Sequence, residues 1–319
     1  MNEQTKTASG RWVRGMLVAA VLAVQAGLGS RADELQLTVT RDDATVSVSA
    51  GDRPILQYRY TDVPFKPYVK EWFSPQGRNV LRDAPHDHLH HHAMMFAVGV
   101  DGVDFWSENP KCGRQVHRSL EEVKTVTRDG LARASFLQQI DWIAPDSDTV
   151  LLTEQRTIEV LRGEDLPASL LTWHCRLQPA AGKESVTLGG SHYFGLGIRF
   201  VESMDRVGRF FNADGTEGRI VRGEERLVRS KWCAYTAPVD GKPVTVAVFD
   251  HPRNPRHPAT MFTMPRGFAY LAATLNLSKE PLTVEAKQPL ELNYGVALWD
   301  GEVGAAEVEE LYRRWAGGE

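Results

Sequence analysis

The sequence predicts an all-β fold, a large antiparallel β-sandwich with one short C-terminal helix. Apolar and polar residues alternate along most of the chain, so one face of each extended stretch points toward a core. Clusters of Gly, Asp and Pro divide these stretches into about a dozen short strands, the pattern of a sandwich or a larger two-sheet structure. Only the C-terminal end has the three- and four-residue apolar spacing of a helix.

The predicted strands begin directly after the N-terminal region. Leu35, Leu37 and Val39 face one way, and the alternation resumes at Val46 after a turn. Later strands are predicted at residues 55–60, 93–98, 116–126, 132–142, 150–161, 169–178, 186–188, 196–200, 244–249, 268–277 and 290–299. The helix predicted at residues 303–315 brings four apolar side chains to one face, those of Val308, Leu311, Tyr312 and Trp315.

Residues 1–32 are predicted to be a signal peptide. Two arginines precede an apolar run at residues 16–28, and small residues stand at cleavage spacing up to Ala32, with Ala26 as the alternative site. The run is shorter than the ~20 residues that a bilayer span needs, so an uncleaved anchor is the weaker alternative. No linker-like segment follows, and we expect a periplasmic or secreted protein with a single β-sandwich domain at residues 33–319.

The charge balance disfavours nucleic acid as a partner. Cleavage after Ala32 removes four of the 37 basic residues and one of the 41 acidic ones, so the formal net charge changes from −4 to −7. No basic patch is present of the kind that nucleic acid or an anionic membrane surface requires. A neutral or cationic small molecule, or a glycan, fits better, and the oligomeric state stays open.

The three cysteines are too few for a disulfide framework in a chain of this size. One bridge with a thiol left over is possible in an oxidising compartment. We favour the alternative, in which Cys112, Cys175 and Cys233 are all buried apolar residues.

Residues 86–92 read His-Asp-His-Leu-His-His-His, so six of seven side chains can ligate a metal or move a proton. If the segment is extended, alternate histidines such as His88 and His90 share one face and can converge on one metal ion. They can equally act as general acids and bases, because the pKa of histidine lies near neutral pH. The apolar run at residues 93–98 predicts a buried strand, beside which unsatisfied titratable groups are costly. We therefore favour a functional site over a solvated polar loop.

Polar residues elsewhere are candidates for the same site. Asp104 and Glu108 are candidate partners that orient imidazoles. Trp106 is a candidate platform for a sugar ring, although core packing explains the indole equally well. His117 follows a turn and can return to the site. Glu154 and Arg156 share one face of a strand, as an acid and an anchor for hydroxyl groups or as a plain cross-strand ion pair.

Two further candidates follow apolar strands. Asp250 and His251 open a loop that three prolines hold extended, and they either complete the histidine site or serve the loop alone. Arg199 ends the strand at residues 196–200, where it binds an anionic or hydroxyl group of the ligand or forms a salt bridge at the rim.

Several motifs together are similar to one known family. They are Asp87-His88-x-His90-His91, Gly102-x-Asp104-Phe105-Trp106, Gly113-x-x-x-His117, Lys66-Pro67-Tyr68, Pro75-x-Gly77, Glu154-x-Arg156, Gly195-x-Gly197-Ile198-Arg199 and Asp250-His251-Pro252-x-Asn254-Pro255-Arg256-x-Pro258. Across residues 54–301 the chain resembles the family named "methane oxygenase PmoA-like", also known as a domain of unknown function. The chain departs from its pattern at His92-Ala93 and at residues 191–194. The resemblance implies a secreted β-sandwich protein, similar in style to proteins of bacterial carbohydrate-use systems.

The function that we predict is that of an exported carbohydrate-active protein, an enzyme acting on a sugar or glycoside by hydrolysis, elimination or epimerisation. Its sandwich has either the plain form or that of a mutarotase-like supersandwich. The predicted catalytic groups are His88, His91, Glu154 and His251. The predicted ligand-binding groups are Trp106, Asp104, His117, Arg156, Arg199 and Asp250. A mononuclear copper or iron oxygenase, as the family label implies, and a non-catalytic glycan-binding module are the alternatives.

The predicted cofactor is one divalent transition metal, Zn, Cu or Fe, held by His88, His90 and His91; pure acid–base chemistry would need none. We expect near-stoichiometric metal in the mature protein, expressed to the periplasm without a His tag, and its loss in a His88→Ala/His90→Ala double variant. Elemental analysis measures the metal, and circular dichroism checks that the variant is folded. Absence of metal from both proteins, even after reconstitution, would rule out this cofactor.

Overall fold

The computed structural model describes residues 36–145 and 147–318, so the predicted signal peptide lies outside the described residues. The first half of the chain forms β1 (Leu37–Arg41), β2 (Thr45–Ala50), β3 (Arg53–Arg59), β4 (Tyr68–Trp72), β5 (Met94–Ala97), β6 (Gly99–Val100), β7 (Val103–Asp104), β8 (Arg114–Arg128), β9 (Leu131–Ile143), β10 (Val150–Gly163) and β11 (Ser169–Pro179). The second half forms β12 (Ser185–Gly189), β13 (Gly195–Arg199), β14 (Arg209–Asn212), β15 (Arg219–Arg222), β16 (Glu225–Arg229), β17 (Trp232–Val239), β18 (Lys242–Asp250), β19 (Thr260–Met264), β20 (Tyr270–Thr274), β21 (Leu282–Glu285), β22 (Leu290–Asp300) and the helix α1 (Ala305–Gly317). A short 3₁₀ turn spans Glu202–Met204.

Two large sheets and one small sheet make up the fold. The ten-stranded sheet has the order β1-β2-β3-β4-β5-β13-β20-β19-β16-β15, and the eight-stranded sheet has the order β14-β17-β18-β22-β11-β10-β9-β8. The small sheet has the order β21-β12-β6-β7. Neighbouring strands run antiparallel, as in the long ladders that join β9, β10, β11 and β22. The predicted all-β antiparallel sandwich with one C-terminal helix is confirmed.

The main core draws large side chains from both large sheets. Tyr58 and Trp72 from the ten-stranded sheet belong to one apolar cluster with Trp142 and Trp173 from the eight-stranded sheet, and all four are fully buried. Alternation explains this, because each strand turns every second residue toward the interior. Cys112, Cys175 and Cys233 are buried and free, as the favoured reading of the cysteines predicted.

The helix α1 covers the outer face of the eight-stranded sheet. All four apolar residues predicted for its buried face are buried there, in a second cluster with Trp232, Phe249 and Trp299. Residues between these, such as Val248, point the other way into the main core, so β17, β18 and β22 are buried on both faces. This double burial explains the unbroken apolar run at residues 244–249. At the start of the helix, Glu307 Oε2 accepts a hydrogen bond of 2.7 Å from the backbone N–H of Gly304.

The sequence missed strands inside the ten-stranded sheet, such as β4 and β19, as well as strands at or next to sheet edges. β14, β15 and β21 end their sheets, and β16 lies one strand in from an edge. β15 and β16 carry four arginines and bury a single side chain between them, so they lack the alternation that marks a strand facing a core. Within residues 36–145 and 147–318, no helix is long and apolar enough to cross a membrane.

Candidate functional site

A cavity of about 540 Å³ lies over β19 and β20, within the range of about 300–1,000 Å³ typical of small-molecule sites. Its walls combine imidazoles, aromatic rings and charged groups. They are formed by Asp87, His88, His90, His91, Trp106, Tyr193, Arg206, Arg222, Glu225, Phe262, Met264, Gly267, Phe268 and Tyr270. Tyr270 lies across the neighbouring strand β13, where a Cβ at Gly197 would collide with its hydroxyl group. That glycine therefore makes room for one wall of the cavity.

The histidine segment is a loop of turns, so the extended geometry considered for residues 86–92 is wrong. The backbone N–H of His88 donates to Pro85 O at 2.9 Å, and that of His91 donates to His88 O at 2.9 Å. The loop closes where Ala84 N donates to His91 O and where Asp83 pairs with His92. The short polar segment just before the buried strand β5 therefore forms consecutive tight turns and does not extend that strand.

Because of these turns, the imidazoles of His88, His90 and His91 lie close together although the segment is not an extended strand. The ring centroids of His88 and His91 are 4.7 Å apart, those of His90 and His91 are 4.6 Å apart, and those of His88 and His90 are 5.9 Å apart. Burial, reinforced by the charges of His90 and His88, lowers the pKa of His91 to about 2. Burial also lowers the pKa of His90. These two rings are therefore neutral near pH 7.

Aromatic rings enclose the imidazoles. Trp106 contacts the rings of both His90 and His91, and its indole stacks on Phe194 with an interplanar angle of 10°. Trp106 lines the cavity but is only 4 % exposed, so little of its indole is open to a ligand, and its role as a sugar platform stays a prediction. The partly exposed rings of the cavity are those of Tyr193 and Phe268.

An ion pair between the carboxylate of Glu225 and the guanidinium of Arg222 forms another part of the wall. Glu225 accepts hydrogen bonds from Arg222 Nη2 at 2.6 Å and from Arg222 Nε at 3.1 Å, and its Oε2 lies 2.8 Å from His192 Nε2. Burial raises the pKa of Glu225, but the hydrogen bonds from Arg222 and His192 outweigh burial and lower the pKa overall. Glu225 is thus an ionised carboxylate that protein groups already satisfy.

A chain of buried charges holds the base of the histidine loop. His92 Nδ1 lies 2.8 Å from Asp83 Oδ1, and His92 Nε2 lies 3.0 Å from Glu108 Oε1. Lys66 Nζ completes the chain at 2.5 Å from the same Glu108 oxygen, and Tyr68 donates to Asp83 at 2.8 Å. Burial alone lowers the pKa of His92, but hydrogen bonds with Asp83 and Glu108 outweigh it and raise the pKa. These hydrogen bonds therefore favour the protonated form of His92, whose position departs from the family pattern.

Two predicted ligand-binding residues support the cavity from outside it. Asp104 accepts hydrogen bonds from the backbone N–H groups of Trp106 and Ser107 at 2.7 and 3.0 Å, which shapes the turn that presents the indole. Arg199 is 1 % exposed and its guanidinium carbon lies 3.9 Å from the ring centroid of Phe268. Neither lines the cavity, so their predicted contact with a ligand is corrected to a positioning role.

Glu154 and Arg156 lie in the core and His117 is half-buried, and none of the three lines the cavity. Arg156 donates to both carboxylate oxygens of Glu154, at 2.7 and 2.9 Å, and both side chains are fully buried. His117 Nδ1 lies 3.1 Å from Gln138 Nε2. The shared face of Glu154 and Arg156 is the one that points between the sheets, so these residues are corrected to an internal polar network.

Asp250 contacts residues of its own loop and His251 packs on the C-terminal helix, and neither lines the cavity. Asp250 accepts hydrogen bonds from Asn254 Nδ2 at 2.7 Å and Ala259 N at 2.8 Å, and its Oδ2 lies 2.7 Å from His257 Nδ1. Burial raises the pKa of Asp250. The ring of His251 packs 5.3 Å from that of Trp315 on the C-terminal helix. The prediction that this loop completes the histidine site is therefore corrected.

The three predicted metal ligands meet, but not as a formed ligand set. Among the described residues, no group of three or more His, Cys, Asp or Glu side chains is arranged to hold a metal ion. The ring centroids stand 4.6–5.9 Å apart, and His88 Nδ1 lies 3.1 Å from Asp87 Oδ2. Because the imidazoles pack on one another and on aromatic rings, coordination would require them to turn. Metal binding stays a prediction.

Sequence reasoning missed nine of the fourteen residues that form the cavity wall. Tyr193, Arg206, Arg222, Glu225 and Phe268 come from loops and edge strands far apart in the chain. The segment at residues 191–194, which differs from the family pattern, was the one available signal. The others are ordinary surface residues in sequence, and only the fold brings them together.

The comparisons identify a family and a fold. The model described as "Family of unknown function (DUF6807)" matches residues 45–313. No curated protein sequence gives a significant match. The family description carries no function, and the resemblance to the PmoA-like family stays a prediction.

Among solved structures, the chain is similar to carbohydrate-related proteins at low identity. A GH36 α-galactosidase from Geobacillus stearothermophilus matches with 11 % identity and a TM-score of 0.50, over 83 % of this chain and 41 % of that one. An α-galactosidase from Lactobacillus brevis matches with 7 % identity and a TM-score of 0.48, over 88 % and 42 %. A galactose mutarotase-like protein from Lactobacillus casei matches with 10 % identity and a TM-score of 0.31, over 82 % and 100 %. The chain thus spans about two fifths of the α-galactosidases, and the first likeness shows a shared fold.

We expect Glu154→Ala to destabilise the protein by about 3–5 kcal/mol, because it leaves the Arg156 guanidinium buried and unpaired. Urea unfolding measures the free energy of unfolding. Glu159→Ala is the matched control on the same strand: its partner Arg133 is 46 % exposed, so removing that pair should cost less than about 1 kcal/mol. Equal losses in both variants would contradict the assignment of Glu154 to a core network.

We expect the stability that His92 contributes to fall as pH rises. A pKa raised by folding gives a contribution that is complete below the unfolded value of about 6.5 and is lost as pH rises through the folded value. Urea unfolding of wild type and His92→Gln at several pH values from 6 to 9 should show their difference in unfolding free energy shrinking. His117→Gln is the control, because burial lowers the pKa of His117 and its difference should stay nearly flat above pH 7. A constant difference for His92→Gln would show that His92 is neutral when folded.

Proposed function

The chain belongs to the family of unknown function DUF6807, and we propose that it is an exported carbohydrate-active enzyme that binds a sugar or glycoside in the histidine cavity and transfers protons there. One observation carries the proposal: neutral imidazoles and partly exposed aromatic rings line the same cavity. The α-galactosidase that shares its fold is named for a sugar substrate, which supports a carbohydrate ligand. Residues 1–32 would direct export.

The aromatic rings supply the binding surface for a sugar ring. Tyr193 and Phe268 each leave part of the ring accessible to the cavity, whereas little of Trp106 is exposed. The guanidinium of Arg199 packs against Phe268 and hydrogen-bonds Ala269 O, which fixes the orientation of the phenyl ring. A rigid ring pre-set in this way loses little conformational entropy when a ligand stacks on it.

The imidazoles divide into two roles. A group whose pKa is about 2 is too weak a base to take a proton efficiently near neutral pH, so His91 acts as a neutral hydrogen-bonding group. His88 and His90 are partly exposed to the cavity and are the groups that exchange protons with a bound sugar. The Asp87 carboxylate, 3.1 Å from His88 Nδ1, orients that ring.

Variants of the histidines and aromatic residues of the cavity also test the remaining hypotheses. The copper or iron oxygenase and the transition metal at His88, His90 and His91 rest on the sequence, and the elemental analysis described above decides them. A non-catalytic glycan-binding module would use the same aromatic rings but would not depend on the imidazoles. Loss of turnover without loss of binding is therefore the property that separates an enzyme from a binding module.

We expect His90→Gln to lower turnover by about 10²–10⁴-fold while binding changes less than threefold, and Tyr193→Ala to weaken binding at least tenfold. Free sugars and methyl and nitrophenyl glycosides are the probes. Saturation-transfer NMR detects binding, and proton NMR spectra over time detect hydrolysis, elimination or epimerisation alike. His174→Gln is the matched control, because His174 lies on the outer surface of β11, beside Glu291.

Two results would contradict the proposal. If no sugar or glycoside binds, the carbohydrate function is wrong. If a sugar binds and Tyr193→Ala weakens binding, but no turnover is found, the protein is a glycan-binding module.

A further inference from the structure

We propose that the sugar recognised in this cavity carries a carboxylate, as hexuronic acids and their glycosides do, and that Arg206 is the residue that binds it. The inference rests on the proposed carbohydrate function and specifies its substrate class. It also departs from the expectation based on net charge, which favoured a neutral or cationic ligand.

A hydrogen bond from Nε anchors the guanidinium of Arg206. Its Nε donates a hydrogen bond of 2.9 Å to Gly267 O, and both residues line the cavity. The backbone of Arg206 has φ 66°, and that of Gly267 has φ 87°. Both residues thus adopt the left-handed backbone region that is common in turns, and the side chain of Arg206 is exposed. In the described part of the chain, Nη1 and Nη2 of Arg206 have no protein acceptor and no carboxylate partner.

The other charges at the cavity already have partners. Arg222 is bonded to Glu225, and Glu225 also contacts His192. Asp87 lies beside His88. Arg199, behind Phe268, is paired with Asp205, which contacts Arg82 as well. Over residues 36–145 and 147–318, Arg206 is therefore the cavity cation that no carboxylate of the protein neutralises.

The two free nitrogen atoms favour a carboxylate. A guanidinium whose Nε is engaged still presents Nη1 and Nη2, whose N–H groups match the oxygen atoms of a planar carboxylate. Gly267, which anchors Arg206, directly precedes Phe268, one of the two accessible rings. A pyranose stacked on Phe268 thus has its substituents beside Arg206, and the carboxyl group of a hexuronic acid is a substituent directly attached to the ring.

The first experiment compares matched ligands on the wild-type protein. Titration calorimetry at fixed ionic strength measures the Kd of methyl glucuronide against methyl glucoside, of methyl galacturonide against methyl galactoside, and of glucose 6-phosphate. We expect at least one uronide to bind tenfold or more tightly than its neutral partner. Equal affinities, or tighter binding of the phosphate than of every uronide, would overturn the carboxylate assignment. If no ligand of any kind binds, the carbohydrate function itself fails.

The second experiment assigns the preference to one side chain. Arg206→Gln should abolish the uronide preference and leave the Kd of the neutral glycoside within twofold, while Arg206→Lys should retain part of the preference. Arg266→Gln is the matched control, since Arg266 lies in the same loop as Gly267, is 76 % exposed and does not line the cavity. A preference that survives Arg206→Gln would overturn the role of Arg206. The comparison of ligands on the wild type stands even if a variant fails to fold.

Discussion

The candidate site depends on the buried chain of charges that runs from Lys66 through Glu108 and His92 to Asp83. Burying any of these groups alone would be costly, and together they satisfy one another through contacts of 2.5–3.0 Å. Because Asp83 and His92 stand at the two ends of the histidine loop, their ion pair closes the loop at its base. The imidazoles of His88, His90 and His91 thus lie within a loop that is closed at its base and folded by turn hydrogen bonds.

The same burial separates the histidines into chemically different groups. His92 lies between two carboxylates, which raise its pKa. His91 lies among other imidazoles and aromatic rings, and burial there lowers its pKa to about 2. Adjacent residues of one type thus differ in charge because their neighbours differ. The cavity therefore combines the neutral imidazoles of His90 and His91 with the charged groups of Asp87, Arg206, Arg222 and Glu225, an arrangement suited to a polar ligand.

A second buried ion pair, between Glu154 and Arg156, illustrates how a sequence motif misleads. Two charged residues at alternate positions of a strand share a face, but the sequence does not show whether that face meets solvent, a ligand or the other sheet. Here Tyr58 and Gln115 approach Arg156 from other strands, and Trp142 and Cys175 approach Glu154. Every hydrogen-bonding group of the pair is engaged by protein, which is the condition under which a charged pair is tolerated in a core.

The fold class and the C-terminal helix could be predicted from the sequence, which also indicated the histidine segment as the candidate site. Alternation and helical spacing are local properties, so they survive without knowledge of partners; the four buried residues of α1, Val308 among them, were predicted for this reason. The set of polar residues that share the cavity could be recognised only after folding was known. Glu154 and His251 were separated from it, and Arg206 and Tyr193 were added, because strand order and sheet packing set distances between residues remote in the chain. The charge of each histidine was likewise undecided by sequence, since a pKa depends on burial and on neighbours that folding alone brings together.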